Sequence, residues 1–180
     1  MKYLFLTLFF VLASLFFSEQ IFSQTGMSAD SMIKIENKRI DAMIGTDYPS
    51  FTVTLNNKTY SSATLKGKTL YINLWFAACV PCMAEMEDLN KLYDTFKNKK
   101  DFEFISFTFD NDSTIAAIKK KFNITYNIFS ISNSECYRLN MNGGFPYSIV
   151  VDKEGKIRYI THIAEKENFV KNIYPLISKE

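Results

Sequence analysis

Apolar residues gather in short runs separated by turn-forming residues, and the densest interior run is Leu70–Phe76 (L-Y-I-N-L-W-F). It is too short and too apolar for a surface helix, so it reads as a buried strand. Directly after it, Ala84, Glu85, Met86, Glu87, Leu89, Lys91 and Leu92 are good helix formers with apolar positions near a 3.6 period. They predict a helix running to about Phe96, with acidic residues early and Lys97, Lys99 and Lys100 late, as the helix dipole favours. Phe102–Phe109 is apolar at nearly every position, as in a parallel strand covered on both faces. Asp112/Ser113 can cap a helix through Lys121, Tyr126–Ile131 reads as a strand, and Ser134–Leu139 as a short helical piece.

Tyr147–Val151 and Ile157–His162 read as a hairpin turned at Asp152–Gly155. Phe169, Val170, Ile173 and Leu176 then mark an amphipathic helix over Lys166–Ile177, which Pro175 is expected to end early. Ahead of the central strand, Phe51–Leu55 and Lys58–Tyr60 are short strands joined across Asn56-Asn57, and Lys66-Gly67-Lys68 turns the chain into Leu70. This order predicts an α/β three-layer sandwich: a mixed central β-sheet flanked by helices.

The first residues follow a different pattern. Lys2 precedes Leu4–Phe17, apolar except for Thr7 and Ser14, and Ser18, Glu19 and Gln20 break the run. That layout is a secretory signal, with an apolar core short of the ~20 residues of a membrane span. Residues 1–23 are read as a signal peptide cleaved before Gln24, 24–44 as a polar linker or arm, and 45–180 as the folded domain. The expected location is therefore exported and periplasmic, either soluble or, with the signal retained, tethered on the outer side of the membrane. No cysteine precedes Cys79, which excludes lipid attachment at an N-terminal cysteine.

Composition narrows the function. The chain has 180 residues, 47% apolar and 16% aromatic, enough for one domain with an aromatic-rich core. A net charge of +2 gives no footprint for nucleic acid. Three cysteines make an odd count, which suits a reactive pair plus one spare better than a disulfide-stapled scaffold.

The reactive pair is Cys79-Val80-Pro81-Cys82, where the strand hands over to the helix. The first N–H groups of a helix lack internal partners and its dipole is positive there, so a thiolate is stabilised. Thioredoxin-type C-x-x-C sites bring the first thiol from about 8.5 to about 7. Cys79 is the expected nucleophile and Cys82 the thiol that resolves the mixed disulfide. Pro81 suits the first turn because its missing N–H costs nothing there. A zinc site would need four ligands, and only Cys136 and His162 remain, outside any paired motif. Cys136 reads as a small buried residue and His162 as structural. No cofactor is called for.

With these residues in place the chain resembles thioredoxin-fold proteins, and within them the secreted TlpA/ResA-type thiol–disulfide oxidoreductases. The matching features are Pro49–Phe51, Lys66-Gly67-Lys68, Asn73-Leu74-Trp75, the C-x-P-C, Glu85, and Phe145-Pro146 followed by Ser148–Asp152 and Gly155; they cover about residues 45–180. The resemblance implies that Pro146 is a cis-proline facing the cysteines and that Phe145 offers its backbone to an extended substrate. It implies that Glu85 lies near the thiols and tunes their protonation. Asn73 stands where thioredoxin has a proton-shuttling acid, which an amide cannot replace. Trp75 and Pro81 join Phe145 as residues expected at the substrate site. One departure is Ala78, where the family usually has a bulky aromatic before the first cysteine.

The implied activity is extracytoplasmic disulfide exchange, with protein disulfides or dithiols as substrates, a membrane electron donor upstream, and a monomeric domain. Direction depends on a potential that spans about 150 mV across the fold, or roughly 7 kcal/mol for two electrons. Reduction of exported proteins is the expected direction. Two other classes compete. A copper-binding chaperone on this fold would use a C-x-x-x-C pair, one residue wider than here. A peroxiredoxin-like thiol peroxidase would want threonine three residues before its reactive cysteine, where this chain has Phe76.

Overall fold

The computed structural model describes residues 28–162 and 166–178, so the expected signal peptide lies outside the described residues. The chain divides into two units at Ala42/Met43. Most of helix α1 (Ala29–Met43) belongs to the first. It is a regular helix of 15 residues within the stretch read from sequence as a polar linker or arm, and none of its side chains is buried. Among the described residues, no helix is long and apolar enough to cross a membrane.

The second unit begins with the hairpin β1 (Thr52–Leu55) and β2 (Lys58–Ser61). Asn56 and Asn57 turn it with φ of 51° and 60°, a left-handed pair that asparagine tolerates better than most residues. The central strand β3 (Thr69–Leu74) is buried at every position. Two short helices follow, α2 (Val80–Ala84) and α3 (Met86–Phe96), then β4 (Phe102–Thr108) and α4 (Asp112–Phe122). β5 (Ile128–Ser130), α5 (Asn133–Leu139), β6 (Tyr147–Val151) and β7 (Ile157–Thr161) complete the sheet region.

The main sheet has five strands in the order β5-β4-β3-β6-β7. β3, β4 and β5 run parallel, β6 pairs antiparallel with β3, and β7 pairs antiparallel with β6, so the sheet is mixed as expected. Ile72 lies between Ile105 and Ile149, and Asn73 between Ser106 and Ser148. Tyr71, Trp75, Phe104 and Val150 of the sheet pack with Met86, Leu89, Leu92 and Phe96 of α3, and with Phe169, Ile173 and Ile177 near the C-terminus. Each such side chain, fully buried, contributes about 1.5–3 kcal/mol relative to exposure.

Two helix expectations need correction. The helix predicted to run unbroken to Phe96 is interrupted at Glu85, which caps both α2 and α3. The C-terminal helix does not stop early. It runs as α6 (Lys166–Asn168), a π-helical turn over Phe169–Ile173, and α7 (Tyr174–Ser178). Pro175 has no N–H to donate, and the wider turn, closed by Tyr174 N–H to Phe169 O, carries the helix past it. Val170, expected on the apolar face, is exposed.

Candidate active site

The parallel strands β3 and β4 end side by side, and the loops that follow them build the site. After Leu74 the chain passes through Trp75–Ala78 and enters α2 with Cys79 at the N-cap, in extended backbone (φ −80°, ψ 100°). Cys79 Sγ accepts from the Cys82 N–H at 3.3 Å. That N–H is one of the helix's first donors, so the bond lends a sulfur anion at Cys79 direct support. Cys79 and Cys82 are joined by a disulfide with Cα atoms 5.2 Å apart. Cys79 keeps 6% exposure and Cys82 none, so Cys79 is the sulfur that another molecule can reach. Val80 and Pro81 stand outward between them.

The loop carrying Cys79 is anchored by a residue that sequence reasoning missed. Asp110, just past β4, accepts from Ala77 N–H at 2.6 Å and from Thr108 Oγ1 at 2.8 Å through the same carboxylate oxygen. Cys79 N–H bonds back to Phe76 O at 3.1 Å and closes the turn. The available signal was an acid at the end of a buried parallel strand, where α/β sheets place their sites.

The Phe145–Pro146 peptide bond is cis. Pro146 is buried, and its carbonyl accepts from His162 Nδ1 at 3.1 Å. The Phe145 ring meets Phe76 at 5.3 Å, Tyr137 at 5.4 Å and Phe109 at 5.9 Å between centroids. Phe76 and Phe109 stack at 5.3 Å. These rings form an aromatic rim that reaches the surface, and Ala78, exposed before Cys79, adds no ring to it. Trp75, expected at the substrate site, lies in the core. It has no exposure, and its Nε1–H donates to Ser106 Oγ at 2.8 Å. A strand that buries both faces leaves its large ring no route to the surface.

Glu85 is buried at the α2–α3 junction, three residues past Cys82. Asn73 Nδ2 donates to Glu85 Oε1 at 3.0 Å and to Ser148 Oγ at 3.1 Å. The phenols of Tyr71 and Tyr126 are pushed up, first by burial and then by the Glu85 charge, so the acid sits among groups that stay protonated. Cys136 lies apart from the pair, buried and free, with its thiol pushed up to about 12 by burial and then by the Asp110 charge. Among the described residues, no group of three or more His, Cys, Asp or Glu is placed to hold a metal ion.

Comparison with known proteins places this geometry. Residues 43–175 match the Redoxin family. The thiol–disulfide oxidoreductase ResA of a Bacillus cereus strain is 33% identical over 118 residues, covering 63% of this chain. The chain spans 66% of that relative's length, just under two thirds. A solution structure of a putative protein disulfide isomerase from Bacteroides thetaiotaomicron superposes with a TM-score of 0.67 at 26% identity, over 76% of this chain and 91% of that one. A thiol:disulfide interchange protein of the thioredoxin family from Chlorobium tepidum TLS gives 0.61 at 26% identity, over 74% and 97%. With a disulfide-bonded cysteine pair at a strand-to-helix junction, a cis-proline, and a family match over residues 43–175, the chain belongs to the Redoxin family as a thioredoxin-fold protein of the TlpA/ResA type.

Proposed function

We propose that this protein is an extracytoplasmic thiol–disulfide oxidoreductase that reduces disulfides of exported proteins. The observation that carries the reading is the Cys79–Cys82 pair, with one sulfur reachable and the other sealed beneath it. The oxidised pair is the end state of one turnover. In the reduced protein, Cys79 thiolate attacks a substrate disulfide, forming a mixed disulfide and releasing one substrate thiolate. Cys82 then loses its proton to Glu85, attacks Cys79 Sγ, and releases the second substrate thiolate. Two electrons pass from the dithiol to the substrate, and a donor outside the chain must restore them.

Phe145 presents its backbone to an extended substrate segment beside Cys79, and the rings around it receive a neighbouring side chain. Pro81 lies on the exposed side of α2, where a substrate would contact it. The signal-like residues 1–23 support export, and an oxidising compartment is where a recycled reductant has work. A Cys82→Ser variant tests the assignment, because Cys79 then holds its substrates as mixed disulfides that can be isolated and identified. Capture through Cys79 is the expected result. Capture through Cys136, with none at Cys79, overturns the site.

A further inference from the structure

Asn73 lies in the middle of the central sheet, fully buried, and gives away both protons of its side-chain amide. One goes to Glu85 Oε1 and one to Ser148 Oγ, at 3.0 and 3.1 Å. Its own Oδ1 is buried and makes no hydrogen bond among the described residues. Buried amides normally satisfy both ends, so this one is held by what its donors gain. Turned over, it would set its carbonyl oxygen against Glu85 Oε1, and an ionised carboxylate has no proton to give. The observed orientation is the one an ionised Glu85 requires.

The other titratable groups around the acid do not take this place. Tyr71 on β3 and Tyr126 ahead of β5 both feel the Glu85 charge. Tyr126 directs its hydroxyl to Met86 Sδ at 3.6 Å, and the Tyr71 hydroxyl is turned to Ser148 rather than to the carboxyl. Cys82 lies one turn back along α2. Ser148 fixes the far end of the amide, because the β3–β6 register sets it opposite Asn73, two residues beyond the cis-proline.

We propose that Asn73 is a positioning residue for Glu85: it orients the carboxyl and lowers its proton affinity, so that the acid is ionised when Cys82 must lose its proton. The inference rests on the oxidoreductase reading. In the step it serves, the Cys82 S–H bond breaks and the proton passes to Glu85. The Cys82 thiolate forms the bond to Cys79 Sγ, and the substrate sulfur leaves with the electron pair of the mixed disulfide. The substrate disulfide is the oxidant, and no other reactant enters.

Hydrogen bonding to the charged form lowers a carboxyl's midpoint, and burial raises it. Asn73→Ala removes the first and leaves the second. The Glu85 midpoint, read by carbon-13 NMR of its side-chain carboxyl, then rises by about one to two pH units, the worth of one hydrogen bond to a charged group. In a Cys79→Ser background the pH profile of Cys82 alkylation moves with it. Asn73→Asp sets a second carboxyl against the first, and the pair titrates in two separated steps. An unmoved Glu85 midpoint in Asn73→Ala, or a Cys82 profile that ignores a moved midpoint, overturns the proposal.

If the Asn73 variants do not fold, the wild-type protein still decides. Its Asn73 side-chain amide resonances follow the Glu85 titration and lose that dependence in Glu85→Gln; resonances flat through the Glu85 midpoint overturn the proposal. Neither carboxyl nor amide readout needs turnover. A protein that passes them and leaves peptide disulfides intact sinks the oxidoreductase reading while the Asn73–Glu85 pair stands.

Discussion

Replacing Asp110 with alanine tests whether the loop that presents Cys79 is held from outside itself. The carboxylate takes the Ala77 N–H at 2.6 Å and Thr108 Oγ1 at 2.8 Å, and it is half-buried. A hydrogen bond to a charged group is worth about 1.5–3 kcal/mol. Partial exposure favours the lower half of that range, because water can replace part of what is lost. The expected cost is therefore about 1.5–2 kcal/mol, which lowers a urea midpoint by about 1 M at a slope near ~2 kcal/mol/M. Trp75, the single tryptophan, reports the unfolding. The local readout is hydrogen exchange at the Ala77 amide, which speeds by about tenfold or more in Asp110→Ala. Asp110→Asn keeps an acceptor for that amide and recovers at least half of both effects. An Asp110→Ala protein whose midpoint and Ala77 protection match the wild type would refute the reasoning.

The remaining predictions concern the core, the spare thiol and the rim. Ser106→Ala strands the buried Trp75 Nε1–H and costs about 1–3 kcal/mol in urea unfolding, with a shift in the tryptophan emission of the native state. Cys136 stays protonated in the fold up to about 12, while the unfolded thiol ionises near its ordinary value of ~8.5. Its contribution is fully present below that unfolded value and drains away between the two as pH rises, because only the unfolded state gives up the proton. Cys136→Ala flattens the alkaline limb of the stability curve, and iodoacetamide at pH 8 labels native Cys136 on the order of a thousandfold more slowly than an ordinary thiol. Phe145→Ala removes a ring that meets three others. KM for a peptide disulfide rises about tenfold, as the loss of one or two ring contacts allows, while kcat holds.

Much of the architecture could be read along the chain. Strand β3 announced itself as an apolar run, and the hairpin β6–β7 as two runs around Asp152–Gly155. The reactive pair was legible for a related reason: two cysteines and a proline within four residues, at a strand-to-helix change, carry their chemistry locally. The helix break at Glu85 was not legible, because Ala84–Met86 is as good a helical sequence as its flanks.

What the sequence alone determined is therefore everything that repeats or acts within a few residues: the periods of strands and helices, and a thiol at a helix entry. What only the tertiary structure decided is which distant groups meet there. Asn73 reaches Glu85 across 12 positions, Ala77 reaches Asp110 across 33, and Asn73 reaches Ser148 across 75. A single hydrogen bond between two such residues leaves no period to detect, and asparagine, serine and aspartate are ordinary in loops and strands alike. Trp75 shows the same limit from the other side: its place beside the motif was plain, but whether its ring turned inward to Ser106 or outward to a substrate depended on strand β4 packed alongside.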